Sequence, residues 1–248
     1  MAIPLGQHQT EIESNLSAWR RKPLLRAVYA DFYRRLQRHF QPSLPGRVVE
    51  IGSGIGNLHD HFPTAIRTDL FPNPWLDLTC DAYELPWCND ALSHLFLVDV
   101  FHHLEAPRAF LHEAQRVLVP RGRLVILDPF ISWFSYPVYG WFHHEPVAWS
   151  APIRMDLSWP RPRNYYAAQG NATRIFFRDQ YPECLLGWKV LEAEVMAGFA
   201  YLLSGGFSGP SLAPATLLPL VRPLDACAAR WPRCFGVRCL VCLERRAD

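Results

Sequence analysis

The sequence predicts a doubly wound α/β fold with a mostly parallel sheet. Three observations lead to this prediction. Short apolar segments alternate with helical segments as far as residue 128, which is typical of parallel strands buried on both faces. A glycine-rich turn directly follows the first of these strands. The chain has 248 residues, of which 50% are hydrophobic, so it can bury a sizeable core and does not have the composition of a disordered protein.

The composition also excludes several classes of protein. The formal net charge is +2, so the chain does not have the excess of basic residues expected of a nucleic-acid-binding domain. The first residues have neither the basic nor the apolar region of a secretory signal peptide, so we expect a cytoplasmic protein with reduced cysteines. Cys239 and Cys242 form a CxxC motif within a predicted strand, where residues three apart point to opposite faces. No metal site is therefore expected.

Residues 1–45 are expected to form an N-terminal cap with one main helix after Pro23. Apolar side chains recur there at helical spacing, at Leu24, Leu25, Val28, Tyr29, Phe32, Leu36 and Phe40. Arginines occupy much of the opposite face. This pattern is typical of a solvated helix face, and contact with an anionic membrane surface is the alternative.

Residues 46–128 are expected to hold the first half of the sheet. Strands are predicted over residues 47–51, 65–68, 91–100 and 123–128. Helices are predicted over residues 57–62 and 109–119, and the turn Pro120-Arg121-Gly122 is predicted to close the second helix.

The rest of the chain divides into an aromatic insertion, residues 129–182, and a C-terminal part, residues 183–248. Strands are predicted over residues 186–195 and 235–244, with helical residues near 213–230 between them. No charged residue lies between Glu194 and Arg222. Glycines and prolines interrupt this apolar segment, so it cannot be a membrane-spanning helix. It is either core or a surface that meets an apolar substrate or a bilayer.

The glycine turn carries the strongest functional signal. It reads Val-Val-Glu-Ile-Gly-Ser-Gly-Ile-Gly from Val48 to Gly56. Open α/β sheets bind cofactors at the carboxyl ends of their strands, and glycine lets the backbone approach a ligand closely. A dinucleotide fold would have the longer spacing G-x-G-x-x-G. The carboxylate of Glu50, just before the turn, suits a cofactor with a cationic amino-acid end and would repel a pyrophosphate.

Together with the segments Val-Asp-Val-Phe-His-His-Leu (98–104) and Ala-Gln-Arg-Val-Leu-Val-Pro-Arg-Gly-Arg-Leu (114–124), this turn resembles the class I S-adenosylmethionine-dependent methyltransferases. The resemblance extends from about Arg47 to Pro129. Over the full length, the chain looks like uncharacterised bacterial methyltransferases of the small-molecule type. The resemblance implies a Rossmann-like seven-stranded sheet with the last strand antiparallel, and S-adenosyl-L-methionine as the cofactor.

The resemblance also implies which residues contact this cofactor. They are Glu50, Gly52, Ser53, Gly54 and Gly56 in the loop, Asp69 and Leu70 at the ribose, Asp81 and Ala82 at the adenine, and Asp99 near the methionine end. Asp77 lies in the proline-rich stretch after Asp69 and is the alternative ribose ligand.

The aromatic insertion is predicted to act as a lid over the acceptor. Its first part ends in His143-His144-Glu145, and a histidine next to a carboxylate can serve as a general base. Our candidates for the base are His144 and, as the second choice, His103. Candidate acceptor contacts are Tyr29, Tyr33, Trp133, Tyr139, Trp141 and His143. A simple packed aromatic loop is the alternative interpretation.

The expected function is O-methylation of an apolar small molecule, or of a lipid-linked or secondary metabolite, by direct in-line transfer. Contact with the inner membrane surface is a further expectation. One alternative is a protein that binds S-adenosylmethionine without methylating. Another is a nicotinamide-dependent oxidoreductase, which the glycine spacing and Glu50 disfavour. The sequence gives no indication of the oligomeric state.

Overall fold

A computed structural model describes residues 5–143, 145–157 and 166–247, with side chains from residue 9 onward. Its centre is a seven-stranded sheet with the strand order β3-β2-β1-β4-β5-β7-β6. The strands are β1 (Arg47–Ile51), β2 (Ile66–Asp69), β3 (Leu78–Thr79), β4 (Leu92–Val98), β5 (Leu118–Pro129), β6 (Trp188–Met196) and β7 (Arg238–Arg245).

The strand directions confirm the predicted sheet. Strands β1 to β5 pair in parallel, and β7 runs antiparallel to both β5 and β6. Because β1 lies between β2 and β4, the strand order changes direction beside it. Open α/β sheets bind ligands at such a switch point, outside the carboxyl ends of the strands.

Eight α-helices are described. They are α1 (Leu5–Arg21), α2 (Pro23–Gln37), α3 (Pro107–Val117), α4 (Ser135–Phe142), α5 (Asn171–Phe176), α6 (Phe199–Ser204), α7 (Leu218–Ala228) and α8 (Pro232–Phe235). The sequence prediction missed α1 because that helix is largely polar. Pro23 is the first residue of α2. The first backbone N–H groups of a helix have no partner within the helix, so a proline there removes no helical hydrogen bond.

Two local predictions need correction. The helix expected over residues 57–62 is a single 3-10 turn, Asn57–Asp60. The expected turn at Pro120-Arg121-Gly122 lies inside β5, where Arg121 has φ +66°. The pairing of β5 with β4 shifts register at this point, so the extra residues are accommodated by an irregularity of the strand.

Two buried clusters cover the two faces of the sheet. One contains apolar residues of α3, α5 and neighbouring loops. The other contains the predicted apolar stripe of α2, including Leu25, Tyr29 and Leu36, together with residues of α6 and α7. The α2 stripe is therefore core, as its helical spacing predicts.

The uncharged segment 195–221 is partly core and partly exposed surface. Ala200, Ser204 and Leu218 are buried, whereas Leu212 and Leu220 are largely exposed. Within residues 5–143, 145–157 and 166–247, we find no helix with both the length and the apolar character needed to cross a bilayer.

Candidate functional site

A cavity of about 180 Å³ lies at the carboxyl ends of β1 and β4. The glycine loop lines one part of it, through Glu50, Gly52, Ser53 and Gly54. Side chains of α1, α2, the lid helix α4 and β7 line the rest. A larger cavity of about 620 Å³ lies between α2, β6 and α7. No residue of the glycine loop lines that larger cavity, so we place the candidate site in the smaller one.

The glycines of the loop serve different purposes. Gly52, Gly54 and Gly56 all have positive φ, between +50° and +72°. A Cβ added to Gly52 would collide with the side chain of Val100, so this glycine is required for packing. A Cβ added to Gly54 would meet no described atom within 4 Å. Gly54 therefore faces open space that a ligand could fill.

Asp69 holds the glycine loop from the end of β2. Its Oδ2 accepts a hydrogen bond from the Gly54 amide at 3.0 Å, and its Oδ1 accepts one from the Leu70 amide at 2.7 Å. Asp77, the alternative ribose ligand, is paired with Arg67 through two side-chain hydrogen bonds of 3.0 Å. The hydrogen bonds from Arg67 lower the pKa of Asp77 to about 2. Of the two carboxylates, Asp69 is the one beside the loop.

The predicted adenine contacts lie outside the cavity. Asp81 Oδ1 accepts a hydrogen bond from the Tyr83 amide at 3.0 Å, and Ala82 packs against the core. Leu70 is partly exposed. These residues follow β2 and β3 on the outer side of the loop, and their adenine and ribose roles stay predictions.

Glu50 is the second-last residue of β1 and brings a carboxylate to the cavity. The side chain is buried, and its Oε2 has no hydrogen-bond partner among the described residues. Burial is the main reason why the pKa of Glu50 is raised to about 8; the charge of Asp69 acts in the same direction, and the Ser53 hydroxyl and Arg67 act against it. A buried, unsatisfied carboxyl of this kind fits the ammonium group of an amino-acid ligand.

Asp99 follows β4 with φ +58°. Its Oδ2 accepts a hydrogen bond from the Tyr29 hydroxyl at 2.6 Å, and its Oδ1 pairs with the buried guanidinium of Arg238. Arg238 also lies 4.9 Å from the centre of the Tyr201 ring. The side chain of Asp99 thus connects α2 to β7 at the cavity wall.

A second group of polar residues, which we call the His–Glu cluster, consists of His102, His103, His143 and Glu145. Glu145 is buried, and its carboxylate lies 3.3 Å from His102 Nε2, 3.5 Å from His103 Nε2 and 3.7 Å from His143 Nδ1. Gln169 donates a hydrogen bond to Glu145 Oε2 at 2.8 Å. The cluster joins the segment after β4 to the lid.

The outer ring nitrogens of the two adjacent histidines are held by oxygen atoms. His102 Nδ1 lies 2.8 Å from Asp128 Oδ1, and His103 Nδ1 lies 2.9 Å from the Tyr166 carbonyl oxygen. Burial alone lowers the pKa of His102, but the carboxylates of Asp128 and Glu145 outweigh burial and raise it to about 10. Burial lowers the pKa of His103 to about 4, and the charge of His102 contributes to this shift.

The structure brings some of the predicted acceptor residues together and separates others. Tyr29, Tyr33, His103, Tyr139 and His143 line the cavity. The side chains of Trp133 and Trp141 are 83% and 81% exposed and are not part of its lining, because they lie on the outer side of the lid. His144, the first candidate base, lies outside the described residues.

Sequence reasoning assigned no role to Gln169 or Arg238, and it considered Glu145 only as the partner of a neighbouring lid histidine. The sequence shows the pair His102-His103, and it shows a carboxylate directly after His143-His144. A prediction that the lid covers the end of β4 would have brought these groups together. Gln169 comes from a stretch without a regular pattern. Arg238 offered a weak signal, as a lone cation beside the apolar run of β7.

Comparison with known proteins shows which kind of domain surrounds this site. Residues 49–126 match a family model described as a methyltransferase domain. Over these residues the chain carries a methyltransferase domain. The match begins in β1 and ends in β5, so it includes the glycine loop, Asp69 and the two adjacent histidines. A search of curated proteins gave no match.

Solved structures of methyltransferases share the fold. One is the complex of the Haloferax volcanii Trm112 methyltransferase activator with a candidate methyltransferase, with 19% identity, a TM-score of 0.52 and coverage of 97% of this chain and 96% of that one. Another is the geranyl diphosphate C-methyltransferase of Streptomyces coelicolor, with 13% identity, a TM-score of 0.53 and coverage of 89% and 80%. At these identities the likeness establishes the fold.

The residues present fit S-adenosylmethionine, the cofactor of the domain. The unsatisfied Oε2 of Glu50 is available to an ammonium group, and the space in front of Gly54 is available to the body of the ligand. When bound, the cofactor supplies a methyl group activated by a positively charged sulfur.

This assignment predicts how binding depends on pH. Below pH 8 the carboxyl of Glu50 is protonated in the free protein and must lose its proton to hold an ammonium group. The affinity for S-adenosylhomocysteine should therefore rise by up to about tenfold per unit from roughly pH 6 and level off above pH 8. Calorimetry over this range tests the prediction. Glu50→Gln should bind more weakly and with a flat profile, so an equally steep profile in this variant would exclude Glu50 as the cause.

Proposed function

We propose that the protein methylates an oxygen atom of a small-molecule acceptor bound in the described cavity. The observation that carries the proposal is that one cavity is lined both by the cofactor loop and by the His–Glu cluster. Holding the acceptor against the activated methyl group supplies proximity and orientation, which can lower a barrier by several kcal/mol. A cluster of proton-accepting side chains at the same place is useful when the nucleophile carries a proton.

A neutral hydroxyl group must lose its proton as its oxygen is methylated, and the cluster contains atoms that can receive it. His103 Nε2 and Glu145 Oε1 lie 3.5 Å apart at the cavity wall. The Tyr166 carbonyl fixes the His103 ring, and Gln169 fixes the Glu145 carboxylate. A positioned general base of this kind contributes about 10²–10⁴ in rate.

The lining of the cavity indicates the chemistry of the reacting end of the acceptor. Glu145, Asp99 and Arg238 all contribute charge, and Tyr29 contributes a hydroxyl group. We infer that the acceptor places a polar end in this cavity. The apolar part of the acceptor that the sequence predicts would then lie outside the cavity, against the lid.

An apolar surface at the lid supports a lipid-linked acceptor. Its exposed side chains come from the α4 region and α8, and include Trp133, Tyr136, Trp141, Phe142 and Trp231. Phe134 joins α4 to α8, because its ring lies 6.5 Å from that of Phe235. Arg230 and Arg233 are also exposed here. Aromatic residues beside arginines are suited to the interface of an anionic membrane, so we propose peripheral contact at the inner membrane surface.

The test is a transfer assay with S-adenosylmethionine labelled in its methyl group. The protein is incubated separately with membrane lipid extract and with soluble metabolite extract, and the labelled product is identified by mass spectrometry. We expect an O-methyl group in a product of the lipid extract. Label on nitrogen or carbon would contradict O-methylation. Binding of S-adenosylhomocysteine without labelled product from either extract would favour a protein that binds the cofactor without methylating.

A further inference from the structure

The His–Glu cluster has the geometry of a metal site. One donor atom from each of His102, His103 and Glu145 lies within 4.8 Å of the other two. The distances from the Glu145 carboxylate to the two Nε2 atoms are 3.3 Å and 3.5 Å. Ligands about 2.0–2.1 Å from a tetrahedral metal ion are about 3.4 Å apart, so these separations match the edges of such a site.

A second observation concerns the far side of each imidazole ring. The Asp128 carboxylate holds Nδ1 of His102, and the Tyr166 carbonyl holds Nδ1 of His103. Both rings therefore direct Nε2 towards Glu145. Histidines that bind metals almost always give their other ring nitrogen to a carboxylate or a backbone carbonyl, which fixes the tautomer and the orientation of the ring.

The carboxylate is oriented in the same way. Gln169 donates a hydrogen bond to Glu145 Oε2, which holds the carboxylate in place between the two rings. Asp128 and Glu145 are both buried, as is His102, so an ion held here would be surrounded by protein on several sides. All three donors line the cavity, and a further ligand position would open into it.

We propose that His102, His103 and Glu145 bind a divalent transition-metal ion that coordinates the acceptor oxygen. Two imidazoles and one carboxylate favour zinc, iron(II) or manganese(II) over magnesium or calcium, which prefer oxygen ligands alone. Its role towards the acceptor rests on the proposed function. With the ion bound, His103 and Glu145 would hold the ion and would not receive the proton; the ion would instead lower the pKa of the acceptor hydroxyl, whose proton would pass to water. The ion would hold the acceptor oxygen that receives the methyl group. The protein ligands of the ion, and not the shape of the acceptor, would then fix the position of this oxygen.

The proposal revises the expectation of no metal site, which came from the cysteine pattern alone. His102 and His103 are separated from Glu145 by about forty residues of sequence, including β5 and α4. Only the folded lid brings the carboxylate to the histidine pair, so no local spacing in the sequence indicates the site.

The test uses the full chain without an affinity tag, dialysed against a chelator and titrated with Co²⁺. We expect one visible absorption spectrum typical of low-coordinate Co²⁺, saturating at about one equivalent. Glu145→Gln and His103→Gln should each abolish this spectrum. Asp128→Asn should weaken Co²⁺ binding by about 10- to 100-fold, since it removes the group that orients His102. His112→Gln, an exposed histidine on α3, is the matched control and should bind as the unmodified protein does.

Other outcomes would overturn the proposal. These are the absence of a Co²⁺ spectrum, or a spectrum that persists in both Glu145→Gln and His103→Gln. Affinity for S-adenosylhomocysteine and circular dichroism show whether each variant is folded. Methyl transfer is measured separately on the chelator-treated protein. Transfer without Co²⁺ binding would overturn the metal site and leave the proposed function standing, whereas Co²⁺ binding without transfer to any acceptor would overturn the proposed function alone.

Discussion

Replacing Glu145 with glutamine should lower kcat by about 10²–10³ and leave cofactor affinity within about twofold of the unmodified protein. Glu145 contacts His102, His103 and His143, so its charge organises the whole acceptor end of the cavity. Glutamine has nearly the same shape but cannot accept a proton or balance a positive charge. The measurement is kcat with the acceptor found by the transfer assay, together with calorimetry for S-adenosylhomocysteine.

His103→Gln is the companion variant and should also lower kcat strongly. His112→Gln, an exposed position on α3 that does not line the cavity, serves as the control and should retain kcat. If both cluster variants kept nearly full activity, the acceptor would need no base, as for a carboxylate or an easily ionised phenol. Proximity alone would then account for catalysis.

Gly54→Val should weaken binding of S-adenosylmethionine at least tenfold, and we expect closer to 100-fold. The backbone at Gly54 has φ +50°, a region that β-branched residues adopt only under strain. The added side chain would project into space free of described protein atoms, where the ligand is expected. Calorimetry gives the affinity, and thermal unfolding reports how much stability the strain removes.

Asp69→Ala tests the loop without the added bulk and the backbone strain that Gly54→Val introduces. It removes the acceptor of the Gly54 amide hydrogen bond without adding any bulk. Loss of one charge-assisted contact is worth about 1.5–3 kcal/mol, so we expect at least tenfold weaker binding. Unchanged affinity in both variants would mean that the loop has a structural role only.

The sheet was predictable because its signals are local. The apolar strands of the first half occur at β1, β2, β4 and β5, and the glycine turn marks the carboxyl end of β1. Errors appeared where a segment lacks apolar periodicity, as in α1, or where proline shortens an element, as in β3. The resemblance to a known family supplied the number of strands and the antiparallel β7, which residue patterns alone leave open.

The two ends of the candidate site differ in how much the sequence revealed. The cofactor end lies within one continuous stretch of chain, so its residues could be named from a motif. The acceptor end is assembled from segments far apart in sequence. Tyr29 comes from α2, Glu145 from the lid, and Arg238 from β7. Such a convergence depends on tertiary packing, and amphipathic patterns do not encode it.

The position of Arg238 has a consequence for the order of events during synthesis. Strand β7 inserts between β5 and β6 and carries Arg238 to Asp99 and Tyr29. Until residues 238–245 have left the ribosome, β5 has an unpaired edge, and the carboxylate of Asp99 has no guanidinium beside it. The sheet and the pocket can therefore be completed only after β7 has emerged. Ligand binding should begin only after β7 has docked, which makes cofactor capture depend on the folding of a strand far in sequence from the glycine loop.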